Sequence, residues 1–402
     1  MKLNWILPIG LFLLSTGLFA QDKTTNAKNS TYEFVKITHL DATPVQSQGY
    51  TGTCWSFSAL SFFESELIRK GVKNPAPLSE MFVARKAYEA KAENYIRMDG
   101  KTNFGEGGAF HDIPFVISNY GIVPASVYSG LVGGAEQYDH SEFFSVMEGA
   151  MNGLLKYVEN SKGKGLSNNW KASINGILDA YMGKEVTEFK LDSVLYTPVS
   201  YAQSLNLNMH DYVSLTSFTN HKMYSECQLA IQDNWLGGKS YNVGLNDLVT
   251  VAEYALSKGY TLAWGADVSE KGFSFKNGIA IVPEDPSSIE ISGKDNKNFS
   301  DAGADKSSNA FLTPMNELKI TPELRQQGYD NKTTTDDHGM HITGLYKDQK
   351  GTRYFLVKNS WGTGNYPEGY LFVSENYFKY KTINIYLHKE GIPKEIKEKI
   401  KL

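Results

Sequence analysis

The chain has 402 residues, 41% of them hydrophobic, 13% aromatic and 21% charged, a composition that supplies a large apolar core and excludes disorder, collagen and coiled coil. Its 44 acidic residues against 40 basic ones leave a formal charge of −4, which gives no global reason to expect nucleic acid or an anionic membrane as partner. Two cysteines, Cys54 and Cys227, are too few for a disulfide framework or a four-cysteine zinc site.

Met1-Lys2-Leu3 precedes an apolar run from Trp5 to Leu14 and a small residue, Ala20, ahead of a polar stretch. One positive charge, a short hydrophobic region and a small residue at the cut predict a secretory signal peptide over residues 1–20. Pro8 and Gly10 interrupt the run, which is shorter than the roughly 20 apolar residues of a bilayer span. The mature chain is expected to be exported, periplasmic or secreted, with no membrane attachment after cleavage. Residues 21–42 read as a polar leader, flexible over Gln21–Ser30.

Glycines and hydroxyl residues from Gln46 to Thr53 predict a loop. A helix follows from Cys54 to Lys70, with Trp55, Ser58, Ala59, Phe62, Phe63, Glu66 and Leu67 at helical spacing and Lys70-Gly71 as the stop. Ser141–Val158, Asn169–Met182 and Asp247–Ser257 are further helices by the same periodicity. Strands are predicted at Tyr260–Trp264, Gly278–Val282, Arg353–Lys358, Tyr370–Val373 and Ile383–Leu387, with a polar loop at Pro283–Asn309. Helices first and strands later give an α+β class.

Cys54 opens its predicted helix, where unpaired backbone N–H groups and the macrodipole favour a thiolate. Six residues upstream, the side-chain amide of Gln48 can donate into the space before the sulfur and, with the Cys54 N–H, form an oxyanion hole. A thiol nucleophile also needs a base and a group to orient it. His338, before one strand, and Asn359, at the end of the next, can meet across a hairpin, with Trp361 shielding their bond from water. His341 competes for the base role; three residues along a strand it points to the other face, as a supporting or exposed histidine. Two histidines that diverge on a strand specify no metal site. Cys227, with no helix-start signal, reads as a core thiol.

Gln48-Gly49-Tyr50-Thr51-Gly52-Thr53-Cys54-Trp55-Ser56-Phe57-Ser58 resembles the nucleophile segment of the papain superfamily of cysteine peptidases. Asp337-His338-Gly339-Met340 resembles its histidine segment, and Lys358-Asn359-Ser360-Trp361-Gly362-Thr363-Gly364 its asparagine segment. The 284 residues from Cys54 to His338 exceed the roughly 130–150 of the compact pattern, a long insertion that resembles the bleomycin hydrolase and aminopeptidase C branch. Gly107-Gly108-Ala109-Phe110, Tyr120–Pro124, Gly237-Gly238-Lys239 and Gly265–Val268 also resemble that branch.

The resemblance implies a papain-like two-lobe fold: a helical lobe at 43–140, a mainly helical insertion at 141–235 and a β-rich lobe at 236–402. It implies hydrolysis of peptide bonds through Cys54, His338 and Asn359, with Gln48 at the oxyanion, no cofactor and no metal. Gly107 and Gly108 match the glycine pair whose backbone aligns the substrate. Peptides are the expected partners, nucleic acid is not expected, and a homo-oligomer follows from the branch, whose members form hexamers. In the branch a C-terminal arm lies in the cleft and its carboxylate reads the substrate's free amine. Here Lys389–Ile396 resembles the region before that arm and the arm looks shortened, so endopeptidase or broader peptidase activity stands as the alternative to aminopeptidase action. A non-catalytic peptide-binding protein on the same scaffold is a further alternative.

Overall fold

The computed structural model describes residues 23–292 and 305–402; the expected signal peptide and its cut at Ala20 lie outside the described residues, as does the middle of the Pro283–Asn309 loop. The helices described are α1 (Cys54–Arg69), α2 (Glu80–Arg97), α3 (Asp112–Tyr120), α4 (Ser141–Asn160), α5 (Asn169–Met182), α6 (Pro198–Ser204), α7 (Leu245–Ser257), α8 (Pro322–Asp330), α9 (Glu375–Lys381) and α10 (Lys394–Ile400). The strands are β1 (Lys23–Thr24), β2 (Phe34–His39), β3 (Phe189–Leu191), β4 (Val194–Tyr196), β5 (Tyr212–Thr216), β6 (Ser225–Gln228), β7 (Lys239–Asn242) and β8 (Leu262–Ala266). They continue with β9 (Phe273–Ser274), β10 (Ile279–Ala280), β11 (Glu290–Ser292), β12 (Asp305–Ser307), β13 (His338–Lys347), β14 (Arg353–Lys358), β15 (Tyr370–Ser374) and β16 (Thr382–His388).

One large sheet runs β6-β7-β5-β16-β8-β13-β14-β15-β10-β9, and β2 adds to β13 with β1 at its outer side. On the edge opposite β14, β13 pairs with β8 along 338–342 and with β2 along 344–347. Alternation along β13 divides its side chains between two layers. Met340 and Ile342 join the core beneath α7, α9 and α10, while Gly339 and His341 face α1. A Cβ on Gly339 would lie 2.7 Å from Ser58 Oγ and 3.3 Å from the Trp55 Cα, so this glycine is what lets α1 lie directly on the strand. The opposite side of α1 packs into the helical core with Phe82, Phe143 and Met147. Thirteen of its residues are buried, which explains an apolar pattern that runs round the helix instead of along one stripe. Its end follows the sequence: Lys70 N–H donates to Glu66 O, Gly71 takes φ +92° and Val72 N–H returns to Leu67 O.

Two organisational expectations need correction. Residues 23–39 are not a flexible leader: Phe34 is fully buried, its ring stacked 3.9 Å from Phe372 and edge-on to Tyr354 at 5.0 Å. Asn26 is also fully buried and donates through Nδ2 to the Phe311 and Asn277 carbonyls. Only Phe34 of β2 is buried, and the strand is held chiefly by its pairing with β13. The stretch 141–235 is helical only in its first part, where Met147, Met151, Ile174, Leu178 and Met182 fill the helical core. Its last part carries β5, which pairs with β16, and β6, which pairs antiparallel with β7, so the expected boundary at 235/236 cuts a hairpin. No helix among the described residues is long and apolar enough to cross a membrane.

Candidate active site

The β13–β14 hairpin carries His338 at the start of one strand and Asn359 just after the end of the other, with His341 opposite Lys358 in register. This antiparallel pairing brings His338 Nε2 to 2.7 Å from Asn359 Oδ1. The same oxygen accepts from the Ser360 N–H at 2.8 Å, which fixes the amide's orientation. Because Oδ1 can only accept, the imidazole proton sits on Nε2 and Nδ1 is left as the acceptor. Trp361 lies against the imidazole with ring centroids 4.7 Å apart.

Gln48 arrives from a segment far away in sequence. Its N–H donates to Ser360 O at 2.9 Å and Ser47 bridges to Trp361, so the two loops run side by side. The Gln48 side chain is fixed at both ends: Oε1 accepts from Ser360 Oγ at 2.7 Å and Nε2 donates to Thr51 O at 2.7 Å. Gln48, Cys54 and His338 all line one cleft of about 300 Å³. Cys54 at the head of α1 is a half-buried residue and a free cysteine. Burial pushes the Cys54 thiol up to about 12, against the lowering contacts from the backbone of Gly339 and Trp55. Burial likewise holds His338 down to about 4, with Asn359 and Asp337 pulling the other way. Burial therefore opposes charge on both groups, while the helix terminus at Cys54 favours the thiolate.

The profile of the Peptidase C1-like family matches residues 323–402, the span that holds β13, β14, His338 and Asn359. Aminopeptidase G of Lactobacillus delbrueckii subsp. lactis is 21% identical, the match covering 90% of this chain and 84% of that one. Aminopeptidase C of Listeria monocytogenes serovar 1/2a is 20% identical over 88% of this chain and 82% of its own length. In fold, the crystal structure of PepW from Lactobacillus rhamnosis HN001 superposes with a TM-score of 0.67 at 18% identity, covering 91% of this chain and 84% of that chain. Residues 323–402 thus match the Peptidase C1-like family, and the chain's mixed α+β fold is the one PepW has. Its relatives over most of its length are named aminopeptidases.

Gly107 and Gly108 lie beside α1, and a side chain at either would meet atoms already in place. A Cβ on Gly108 would fall 2.7 Å from the Trp55 ring and 2.6 Å from Asp112 Oδ2. On Gly107 it would fall 2.0 Å from Asp233 Oδ2. Their backbone is held from behind by Lys91, 2% exposed, whose Nζ donates to Gly105 O at 2.5 Å and Gly107 O at 2.6 Å.

Several cleft residues of the peptidase were not singled out from sequence. Glu106, Asp233 and Asp336 join Asp337 in lining it and make the cleft acidic. Glu106 is committed to structure, accepting the Gly52 N–H at 2.8 Å and lying 3.3 Å from His140 Nδ1. Asp233 sits in the turn between β6 and β7, just before the Gly237-Gly238 pair, where no periodicity marks it. His341 is 1% exposed and hydrogen-bonds Ser61 Oγ through Nδ1 at 2.9 Å, on the α1 face as alternation required, so the exposed option is excluded. Cys227 is half-buried on β6, its Sγ 3.5 Å from Ser240 O, and is not a core thiol.

Proposed function

We propose that this peptidase is an exported aminopeptidase whose nucleophile is Cys54, whose general base and acid is His338, oriented by Asn359, and whose oxyanion donors are Gln48 and the Cys54 N–H. The observation that carries the reading is the His338 Nε2 to Asn359 Oδ1 bond, which leaves Nδ1 as the proton acceptor in the cleft that Cys54 shares. As Sγ attacks the scissile carbonyl, its proton passes to His338 Nδ1, and each charge is compensated by the other as it forms. The tetrahedral oxyanion is held by Gln48 Nε2 and the Cys54 amide. His338 returns the proton to the leaving amine, and water activated by the same ring releases the acyl group. The names of aminopeptidases G and C support action at a free N-terminus.

Two measurements test this reading. A fluorogenic leucyl amide is expected to be cleaved at least about ten-fold faster in kcat/KM than its N-acetyl form, since an acylated amine loses its charge. Equal rates would favour endopeptidase or broader action. Export is supported by Lys2, the apolar run and Ala20, and sequencing of the secreted or periplasmic protein is expected to find Gln21 first. Recovery only from the cytoplasm with Met1 intact would contradict it.

A further inference from the structure

The turn that carries Asp233 is built with unusual rigidity for a surface connection. Asn234 lies across it, its Nδ2 donating to Leu229 O at 2.9 Å and Gly238 O at 2.8 Å while its Oδ1 accepts the Gly238 N–H at 2.7 Å. Trp235 anchors the next position to α3: its Nε1 donates to Asp112 Oδ2 at 2.7 Å and its ring stands edge-on to Phe115 at 5.9 Å. Gly238 presses on His111, where a Cβ would lie 2.3 Å from the ring. The residue held between these anchors is a carboxylate that enters the cleft directly over Gly107. Asn103 Nδ2 donates to its Oδ1 at 2.8 Å, and Oδ2 is the oxygen nearest the glycine.

Two consequences follow for a peptide in the cleft. The Asp233 side chain fills the volume next to Gly107. It also presents a carboxylate to the cleft, in surroundings that include Asp336, while Lys91, the nearby cation that favours its charged form, is engaged by two carbonyls. Burial and the neighbouring Asp233 and Asp337 carboxylates oppose ionisation of Asp336, a repulsion that an incoming cation would relieve. The one cation every unmodified peptide carries at its end is the α-ammonium.

We propose that Asp233 is the specificity-determining residue of this peptidase, receiving the substrate's α-ammonium on its carboxylate and, by its bulk beside Gly107, restricting the cleft to the N-terminal residue. The inference rests on the aminopeptidase reading above and assigns it to a side chain from the β6–β7 turn.

The test compares wild type with Asp233→Asn and Asp233→Ala on leucyl and N-acetyl-leucyl fluorogenic amides and on an N-acetylated tripeptide amide. Asp233→Asn preserves the acceptor for Asn103, so it removes charge with little change of shape. Its preference for the free amine is expected to collapse by at least about thirty-fold, chiefly through KM, as for loss of one partner of a buried charge pair. Asp233→Ala, which also opens the space beside Gly107, is expected to gain cleavage of the acetylated tripeptide relative to the leucyl amide. Labelling of Cys54 by an active-site-directed epoxide in each variant reports that the cleft is folded. A labelled Asp233→Asn protein that keeps the wild-type preference overturns the proposal and leaves the aminopeptidase reading standing. A wild type without preference overturns that reading and the proposal with it.

Discussion

Cys54→Ala is expected to lower kcat/KM on a leucyl amide by at least about 10⁴-fold, because the covalent route is lost and only binding and oxyanion contacts remain. His338→Ala should cost about as much, and the double variant little more than either, since a nucleophile without its base and a base without its nucleophile are equally idle. Stability should move little for Cys54→Ala, because the contacts that seat α1 on β13 run through Gly339, Ser58 and Trp55. Steady-state kinetics and urea unfolding on the same preparations separate the two effects. Retention of more than about a tenth of wild-type activity by Cys54→Ala would remove it from the nucleophile role.

The second large effect lies on the far side of β13. Lys358, next to Asn359 in sequence, is buried and donates through Nζ to Ser61 Oγ at 2.7 Å and Thr43 Oγ1 at 3.2 Å. Thr43 in turn bonds Glu64, whose other oxygen accepts the Leu78 N–H at 2.8 Å. Ser61 also bonds His341, so the chain of contacts joins α1, both hairpin strands and the segment entering α2. Burial lowers Lys358 to about 8, with Glu64 and Glu80 raising it, and burial raises Glu64, with Thr43, Leu78 and Lys358 lowering it. Such a pair costs solvation to assemble, and breaking it from one side strands the other charge. Lys358→Met and Glu64→Leu are each expected to destabilise the fold by about 3–5 kcal/mol, and the double variant to recover much of that loss. Urea midpoints at neutral pH measure it. Single-variant losses below about 1 kcal/mol would show that the network is incidental. Lys358→Met should also slow hydrolysis, since Asn359 would lose the strand end that holds it against His338.

The parts of the molecule legible in sequence are those where one local pattern decides the outcome. The α1 periodicity and its Lys70-Gly71 stop gave the nucleophile helix to within a residue, and β14 begins and ends where its β-branched and aromatic run does. His338, Asn359, Trp361 and Gln48 were readable because motif residues flank them, and the antiparallel hairpin realises the meeting their positions required. What failed to show depends on distant partners. β2 is polar enough to pass for a leader until Phe34 is placed between Phe372 and Tyr354. Asp233 carries no periodic signal, because a turn residue acquires meaning only from the cleft it enters. The thiol of Cys54 followed the same rule: its helix position was visible, but the burial that dominates its protonation is a property of the whole fold.

The pairing of β2 with β13 has a consequence in time. His39 aligns with Gly344, and the strand that begins with His338 therefore has as one of its neighbours a segment about 300 residues earlier in the chain. Synthesis or translocation delivers β2 early and its partner close to the end, so the earlier segment waits as an unpaired edge while the intervening lobes form. Closing so long a loop is slow, and it is the closing step that completes the sheet. A chain interrupted anywhere before Asn359 contains the thiol without its orienting groups. On the proposed mechanism, peptidase activity is complete only once β2, β13 and β14 have come together.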